Sequence, residues 1–275
     1  MIVDFVKTFS LSDGDRELIK DTRERLSDSV EGLAFDSQSH TYKLNGRELE
    51  SVSSIVEEYA PFDAEKTAAN CAVNPKSKYF GMPVQEILNI WNDTAKAAAE
   101  SGTDVHNYAE YCFNVAVGNE EEMPVNEGSD AVVAKKSALA QWWRNLDESR
   151  FIPIASETMV ANPELGYAGT FDLLLYDKSS GGYVLCDYKT NADLFKWYGN
   201  MLKPPCDVLQ DSPVGRYTVQ QTLYRMQLEN ISLNVTSMML IWLKEDGSYQ
   251  EVELNMRYDK LMRYALQMRR QNKTN

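Results

Sequence analysis

The sequence predicts an α/β fold, a central mixed β-sheet flanked by helices with a helical N-terminal part. Three observations predict it. Residues 169–190 hold two runs rich in aromatic and apolar residues around a Ser-Ser-Gly-Gly turn, the pattern of a β-hairpin. Segments with helical spacing precede the hairpin at 83–100 and 131–149, and another follows at 216–229. Two more strand-like runs, Val235–Leu243 and Tyr249–Leu254, come last, joined through Glu-Asp-Gly. The expected order is helices, three strands, a helix, then strands.

The remaining elements fill in around these. Ser12-Asp13 is set to cap a helix in which Leu18, Thr22, Leu26 and Val30 recur every four residues. Residues 33–45, followed by Gly46, suggest a short hairpin, and His40 falls in it as a turn or surface histidine. Ser51 leads into a helix through Tyr59, stopped by Pro61. Pro83 opens the next helix, with Ile87, Ile90, Trp91 and a run of alanines. Gly102-Thr103-Asp104-Val105-His106 then reads as a fresh helix start. Thr103 is the N-cap and Asp104 suits the positive helix end, which puts His106 in the first turn and Glu110 one turn on. Residues 119–130 are acidic with Gly and Pro, so a surface loop is expected. Trp142-Trp143 on the next helix read as sheet-packing residues rather than base-stacking ones. Pro153 precedes Ile154–Val160, the first core strand, which carries Glu157. Residues 191–215 form a long irregular segment with Lys196, Trp197, Tyr198 and Lys203, a candidate substrate-gripping flap.

Composition sets limits. The chain has 275 residues, room for one large domain or two small ones, divided here as an N-terminal extension, 1–30, and a single domain, 31–275. Its 43% hydrophobic and 25% charged residues are those of an ordinary globular protein. No apolar run approaches the roughly 18–20 residues a membrane helix needs. No basic-then-apolar leader opens the chain, so a cytoplasmic location is expected and no membrane partner. The net charge of −13 should repel a polyanion, leaving nucleic-acid binding to local basic patches and metal ions. Arg257, Lys260, Arg263, Arg269, Arg270 and Lys273 make the C-terminal helix the most basic stretch, either a solvated face or a phosphate-binding one. Cys71, Cys112, Cys186 and Cys206 show no Cys-x-x-Cys spacing, which argues for reduced, buried thiols rather than a zinc site.

The hairpin carries the chemistry. If Tyr176 and Tyr183 close its loop, the same register sets Asp172 opposite Asp187, with Cβ atoms roughly 4.5–5.5 Å apart. Lys189 lies two residues past Asp187 and so shares its face. Like charges directly opposite are destabilising. A bound divalent cation removes the repulsion, because hard cations take carboxylate oxygens. The lysine then meets the charge developing on a reacting phosphate. Solvent-facing scattered charges are the plain alternative.

These residues resemble the PD-(D/E)XK nuclease superfamily, in its RecB-type, lambda-exonuclease-like branch, and look like a phage or mobile-element member. Four motifs carry the resemblance, in order: Gly102–His106, Gly169–Asp172, Asp187-Tyr188-Lys189, and Gln220-x-x-x-Tyr224. Phe171 stands before Asp172 in place of proline, as is usual in that branch. The stretch from His40 through Val52 resembles the branch's entry segment, and the likeness spans roughly residues 33–255.

The resemblance implies a restriction-endonuclease-like core and a nuclease that needs Mg²⁺ or Mn²⁺. It further implies that His106, Asp172, Asp187 and the Tyr188 carbonyl hold metal. Lys189 is then catalytic, Gln220 and Tyr224 orient Lys189 or its strand, and Glu157 is an additional acidic residue near the site. Gln221 and Arg225 form a parallel pair able to reach phosphate. Some relatives carry an iron–sulfur cluster on cysteines beyond the last motif; no cysteine follows Cys206, so none is expected. DNA is the expected substrate, in recombination, repair or phage DNA processing, with a recombination or single-strand-binding protein as a further partner. The alternative is a catalytically silent protein on the same fold that binds nucleic acid or a recombination partner.

Overall fold

The computed structural model describes residues 6–36, 39, 41–119 and 128–274. His40, residues 120–127 of the expected acidic loop and the side chain of Lys273 lie outside the described residues.

The architecture is α/β, as the sequence predicts, with an eight-stranded mixed sheet between two helical layers. Helix α1 (Asp13–Ser29) starts at Ser12, whose hydroxyl accepts from the Asp15 N–H while the Asp15 carboxylate accepts from the Ser12 N–H. That reciprocal pair satisfies two of the helix's free donors. Ile19 and Leu26 of α1 join the main core rather than lying apart from it. Strands β1 (Leu33–Asp36), β2 (Thr41–Leu44) and β3 (Arg47–Ser51) form an antiparallel meander. Asn45 and Gly46 turn β2 into β3 with φ of 50° and 83°, the left-handed pair a tight hairpin requires. Ser51 then caps α2 (Val52–Tyr59), and Asp63 caps α3 (Ala64–Val73).

Helices α4 (Val84–Ala116) and α5 (Asp130–Asn145) precede β4 (Phe151–Asn162), β5 (Tyr167–Asp177) and β6 (Gly182–Lys189). Strand β5 is central. One edge pairs antiparallel with β4 except at Asp172, while its other edge is shared. The C-terminal half of that edge pairs with β6, and Tyr167 and Ala168 pair in parallel with β3. Helix α6 (Pro213–Asn230) crosses over to β7 (Val235–Leu243), which lies parallel to β6, as a helical crossover allows. Strand β8 (Tyr249–Glu253) and helix α7 (Asp259–Thr274) follow. Among the described residues no helix is long and apolar enough to cross a membrane.

Alternation along β6 builds both cores. Tyr183 and Leu185 pack with Val219, Leu223 and Met226 of α6. Val184, Cys186 and Tyr188 pack with Leu139, Trp142 and Trp143 of α5 and with Val105 and Cys112 of α4. This period of two explains why the strand is apolar on both faces yet ends in Asp187 and Lys189. Those charges fall where the sheet opens.

Candidate metal centre

His106 is presented by α4, which runs unbroken through 33 residues. This corrects the expected fresh helix start at Thr103. The Thr103 hydroxyl donates back to the Ala99 carbonyl at 3.1 Å, the bond a hydroxyl makes inside a helix rather than at its cap. The alanines at 95 and 97–99 propagate the helix, and Gly102 weakens it by only about 1 kcal/mol. His106 therefore sits in mid-helix, away from the positive end. The Tyr188 ring meets the His106 ring edge-on at 6.3 Å, and Trp142 backs Tyr188 at 6.0 Å. Both Trp142 and Trp143 are buried, in keeping with sheet packing.

Glu157 and Asp172 come from the β4–β5 ladder. Ser156 pairs with Leu173 and Thr158 with Phe171, so Glu157 and Asp172 face each other at a gap in the pairing. Glu157 has φ of 45° within a strand. A left-handed conformation costs a non-glycine residue roughly 1–2 kcal/mol, and such strain is concentrated at functional sites. The Ser156 hydroxyl donates to the Asp172 carbonyl at 3.0 Å, replacing part of the lost ladder.

On the opposite edge of β5, Tyr176 pairs with Tyr183, the register read from the sequence. Pairing stops at Leu173–Cys186, one step before Asp172 and Asp187. The strands part there, and Asp172 Oδ2 accepts the Tyr188 N–H at 2.8 Å. A side chain thus takes the backbone donor that the neighbouring strand no longer satisfies.

Three metal-ligating groups converge at this gap. His106 Nδ1 lies 3.0 Å from Glu157 Oε1 and 3.8 Å from Asp172 Oδ2. The ligand atoms of all three residues lie within 4.8 Å of one another. Asp187 is wholly buried beside them, and its Oδ1 has no hydrogen-bond partner among the described residues. Its Oδ2 lies 2.6 Å from Lys189 Nζ. The Lys189 ammonium also sits over the Tyr217 ring of α6, 4.3 Å from the centroid.

The electrostatics follow from burial and neighbours. Burial pulls the His106 pKa down, but the carboxylates of Asp172 and Glu157 outweigh it and raise it to about 9. Burial pushes the Asp187 carboxyl up, Lys189 pulls it back, and Asp172 adds to the rise. Burial alone would discharge Lys189, but Asp187 and Asp172 hold its pKa above the usual lysine value. An ammonium beside a buried carboxylate with a free oxygen is a charge arrangement open to a cation.

Helix α6 supplies the support. The Tyr224 ring lies against Gly169, and a Gly169 β-carbon would come within 2.7 Å of Tyr224 Cε1. Burial pushes the Tyr224 phenol well above its ordinary pKa, and a hydrogen bond with Gln220 works against that rise. Gln221 and Arg225 do not reach phosphate. Both are buried, and Arg225 pairs with Glu229 and Asp259 and donates to the Met256 carbonyl, tying α6 to α7. Their side of α6 faces the core, which the i, i+4 spacing alone does not reveal. In α7, Arg269 is likewise buried and paired with Glu50 and Glu58, while Arg263 is exposed.

Two open clefts meet at His106. One, about 510 Å³, is lined by Gly102, Asn107, Glu110 and Glu157. The other, about 670 Å³, is lined by Lys135, Lys189, Asn191 and Tyr217. No family model matches the chain, and no curated protein matches it.

The sequence reading and the geometry meet at five residues. His106, Asp172, Asp187, Tyr188 and Lys189 surround one gap, and Glu157 stands among the ligating groups rather than behind them. Tyr217 was missed. Its signal was available: it stands three and seven residues before Gln220 and Tyr224, on the same side of α6.

Proposed function

We propose that this protein is a metal-dependent phosphodiester hydrolase acting on DNA. The observation that carries the reading is the convergence of His106, Glu157 and Asp172 beside the Asp187–Lys189 pair, at the one place where β5 leaves β6. The donor set fits a hard divalent cation, since two carboxylates and one imidazole suit Mn²⁺ and Mg²⁺. The unpartnered Oδ1 of Asp187 fits it too.

His106, Glu157 and Asp172 would hold the cation, with Asp187 Oδ1 and the Tyr188 carbonyl as further oxygen donors. When bound, it lowers the pKa of a coordinated water and offsets phosphate charge. Lys189 holds its ammonium beside the same carboxylates, where it meets the charge that develops on the phosphoryl oxygens. Asp187 anchors that ammonium. Tyr188 presents its N–H to Asp172 and its ring to His106, so one residue of β6 orients two ligands. Tyr224 and Gln220 brace β5 at Gly169, three residues before Asp172.

A second reading, a non-cleaving protein that binds a recombination partner, draws on the net charge of −13. One assay separates them. Purified protein is incubated with linear and circular DNA in Mg²⁺, Mn²⁺ or chelator. Metal-dependent cleavage that Asp172→Asn abolishes supports the hydrolase, whereas intact DNA in every metal rules it out.

A further inference from the structure

We infer that Tyr217 is the residue that positions Lys189, a role beyond those given above to Gln220 and Tyr224. The inference rests on the hydrolase reading and adds to it.

A lysine side chain carries four rotatable bonds and one compact charge, so a single ion pair leaves its ammonium free to swing. Lys189 is held from two sides. Asp187 Oδ2 lies 2.6 Å from the ammonium, and the face of Tyr217 lies 4.3 Å away. An aromatic face attracts a cation most where water is scarce, and the Lys189 side chain is only 13% exposed.

The ring is itself fixed. The Tyr217 hydroxyl donates to Asn191 Oδ1 at 2.8 Å, and the Asn191 carbonyl accepts from Trp242 Nε1 at 2.7 Å. Asn191 follows Lys189 by two residues, and Trp242 pairs with Lys189 across β6 and β7. A closed circuit therefore runs from Lys189 to Tyr217 through Asn191 and Trp242 and back to Lys189. It leaves the ammonium one lane, beside Asp187. Tyr224, seven residues on, leans on Gly169 instead. The two tyrosines of one helix side thus divide the work, Tyr217 on the lysine and Tyr224 on the strand.

The test compares Tyr217→Phe, Tyr217→Leu and Asn191→Ala in the full chain. Proton NMR of the Lys189 side-chain methylene next to the ammonium reads the contact without requiring turnover, with Lys189→Arg assigning the signal. Ring-current displacement is expected in the wild type and Tyr217→Phe, and its loss in Tyr217→Leu. Steady-state cleavage in Mn²⁺ reads the consequence. Tyr217→Leu should fall about 10-fold in kcat with KM and Mn²⁺ affinity unchanged, whereas Tyr217→Phe and Asn191→Ala, which keep the ring and lose the hydroxyl–Asn191 bond, should fall by no more than about 3-fold. A merely structural role would not split kcat from KM, nor be rescued by the ring alone. If Tyr217→Leu does not fold, Tyr217→Met replaces it. Wild-type turnover in Tyr217→Leu, or an undisplaced Lys189 signal in the wild type, overturns the positioning role and leaves the hydrolase reading standing. A wild type that cuts no DNA in any metal overturns both, so the two failures are distinct.

Discussion

The Tyr224 ring occupies the space where a Gly169 side chain would be, with Cε1 and the hydroxyl 2.7 and 2.9 Å from the β-carbon position. This contact joins two motifs 55 residues apart in the chain, and it explains why glycine stands three residues before Asp172. Gly169→Ala should therefore cost about 1–3 kcal/mol by overpacking, and should displace β5 next to the proposed metal centre. Cleavage should fall with it. The double variant Gly169→Ala, Tyr224→Leu should recover part of the stability, because the two residues share one space. Chemical denaturation of the wild type, the two single variants and the double variant measures the coupling. Additive losses would show that the contact is not the reason for the glycine.

Much of this arrangement is legible in the sequence. The hairpin register followed from Tyr176 and Tyr183, since strand pairing has a fixed period and a short turn admits few registers. That the strands part just beyond Leu173–Cys186 was not legible. Past the parting, β5 meets β3 at Tyr167 and Ala168 on the same edge, a contact between residues more than a hundred positions apart. The left-handed turn at Glu157 was hidden for a similar reason. Glutamate has no preference for that conformation, so only the surrounding sheet imposes it. Thr103 misled because a hydroxyl before a helical stretch reads as a cap, while within a helix it bonds back one turn. Arg225 misled because a spacing of four fixes which residues share a side, not which side is buried.

Away from the site, Asp177 ends β5 and holds Arg150, with Arg150 Nε and the terminal nitrogen at 3.0 and 2.8 Å from its two oxygens. The Arg150 guanidinium, with the Ser179 hydroxyl and N–H, holds the Asp177 carboxyl far below the usual carboxylate range against the opposing effect of burial. A depressed folded pKa contributes stability above the unfolded value of about 4, and that contribution disappears as pH falls toward the folded value. Asp177→Asn should thus cost about 1–3 kcal/mol at pH 7 and progressively less as pH falls from about 4 toward 2. Urea melts across that range decide it. A pH-independent difference would assign the loss to packing instead of charge.

Lys189→Ala should lower cleavage about 100-fold or more while leaving Mn²⁺ binding largely intact. The lysine stands beside the carboxylates of the proposed centre and offers no ligand atom of its own. Calorimetric titration of Mn²⁺ into the variant separates the two effects. Near-normal turnover would remove Lys189 from the chemistry.

Asp187→Asn tests how the buried carboxylate is used. Two forces act on it in the metal-free protein. Asp172 repels it, which alone would make the neutral amide stabilising, and Lys189 attracts it. At 2.6 Å the lysine is the nearer charge, and Asp187 is the chief group holding that buried ammonium charged against burial, so the neutral amide leaves Lys189 with Asp172 as its main support. Removing one member of a buried pair strands the other, a cost of roughly 3–5 kcal/mol that the remaining amide oxygen partly offsets. The variant should therefore melt below the wild type in chelator. Saturating Mn²⁺, at about 100 times its dissociation constant, should add about 2.7 kcal/mol to the wild type by mass action. Glu157→Gln and Asp172→Asn should lose most of that gain, since their oxygens lie with His106 in the ligating cluster. Asp187→Asn should lose a smaller part, since it offers one unpartnered oxygen while its other belongs to Lys189. Thermal melts of the four proteins, each with chelator and with Mn²⁺, give the ranking. Equal Mn²⁺ shifts in all four would show that the cation binds elsewhere, and the proposed centre would fall with that result.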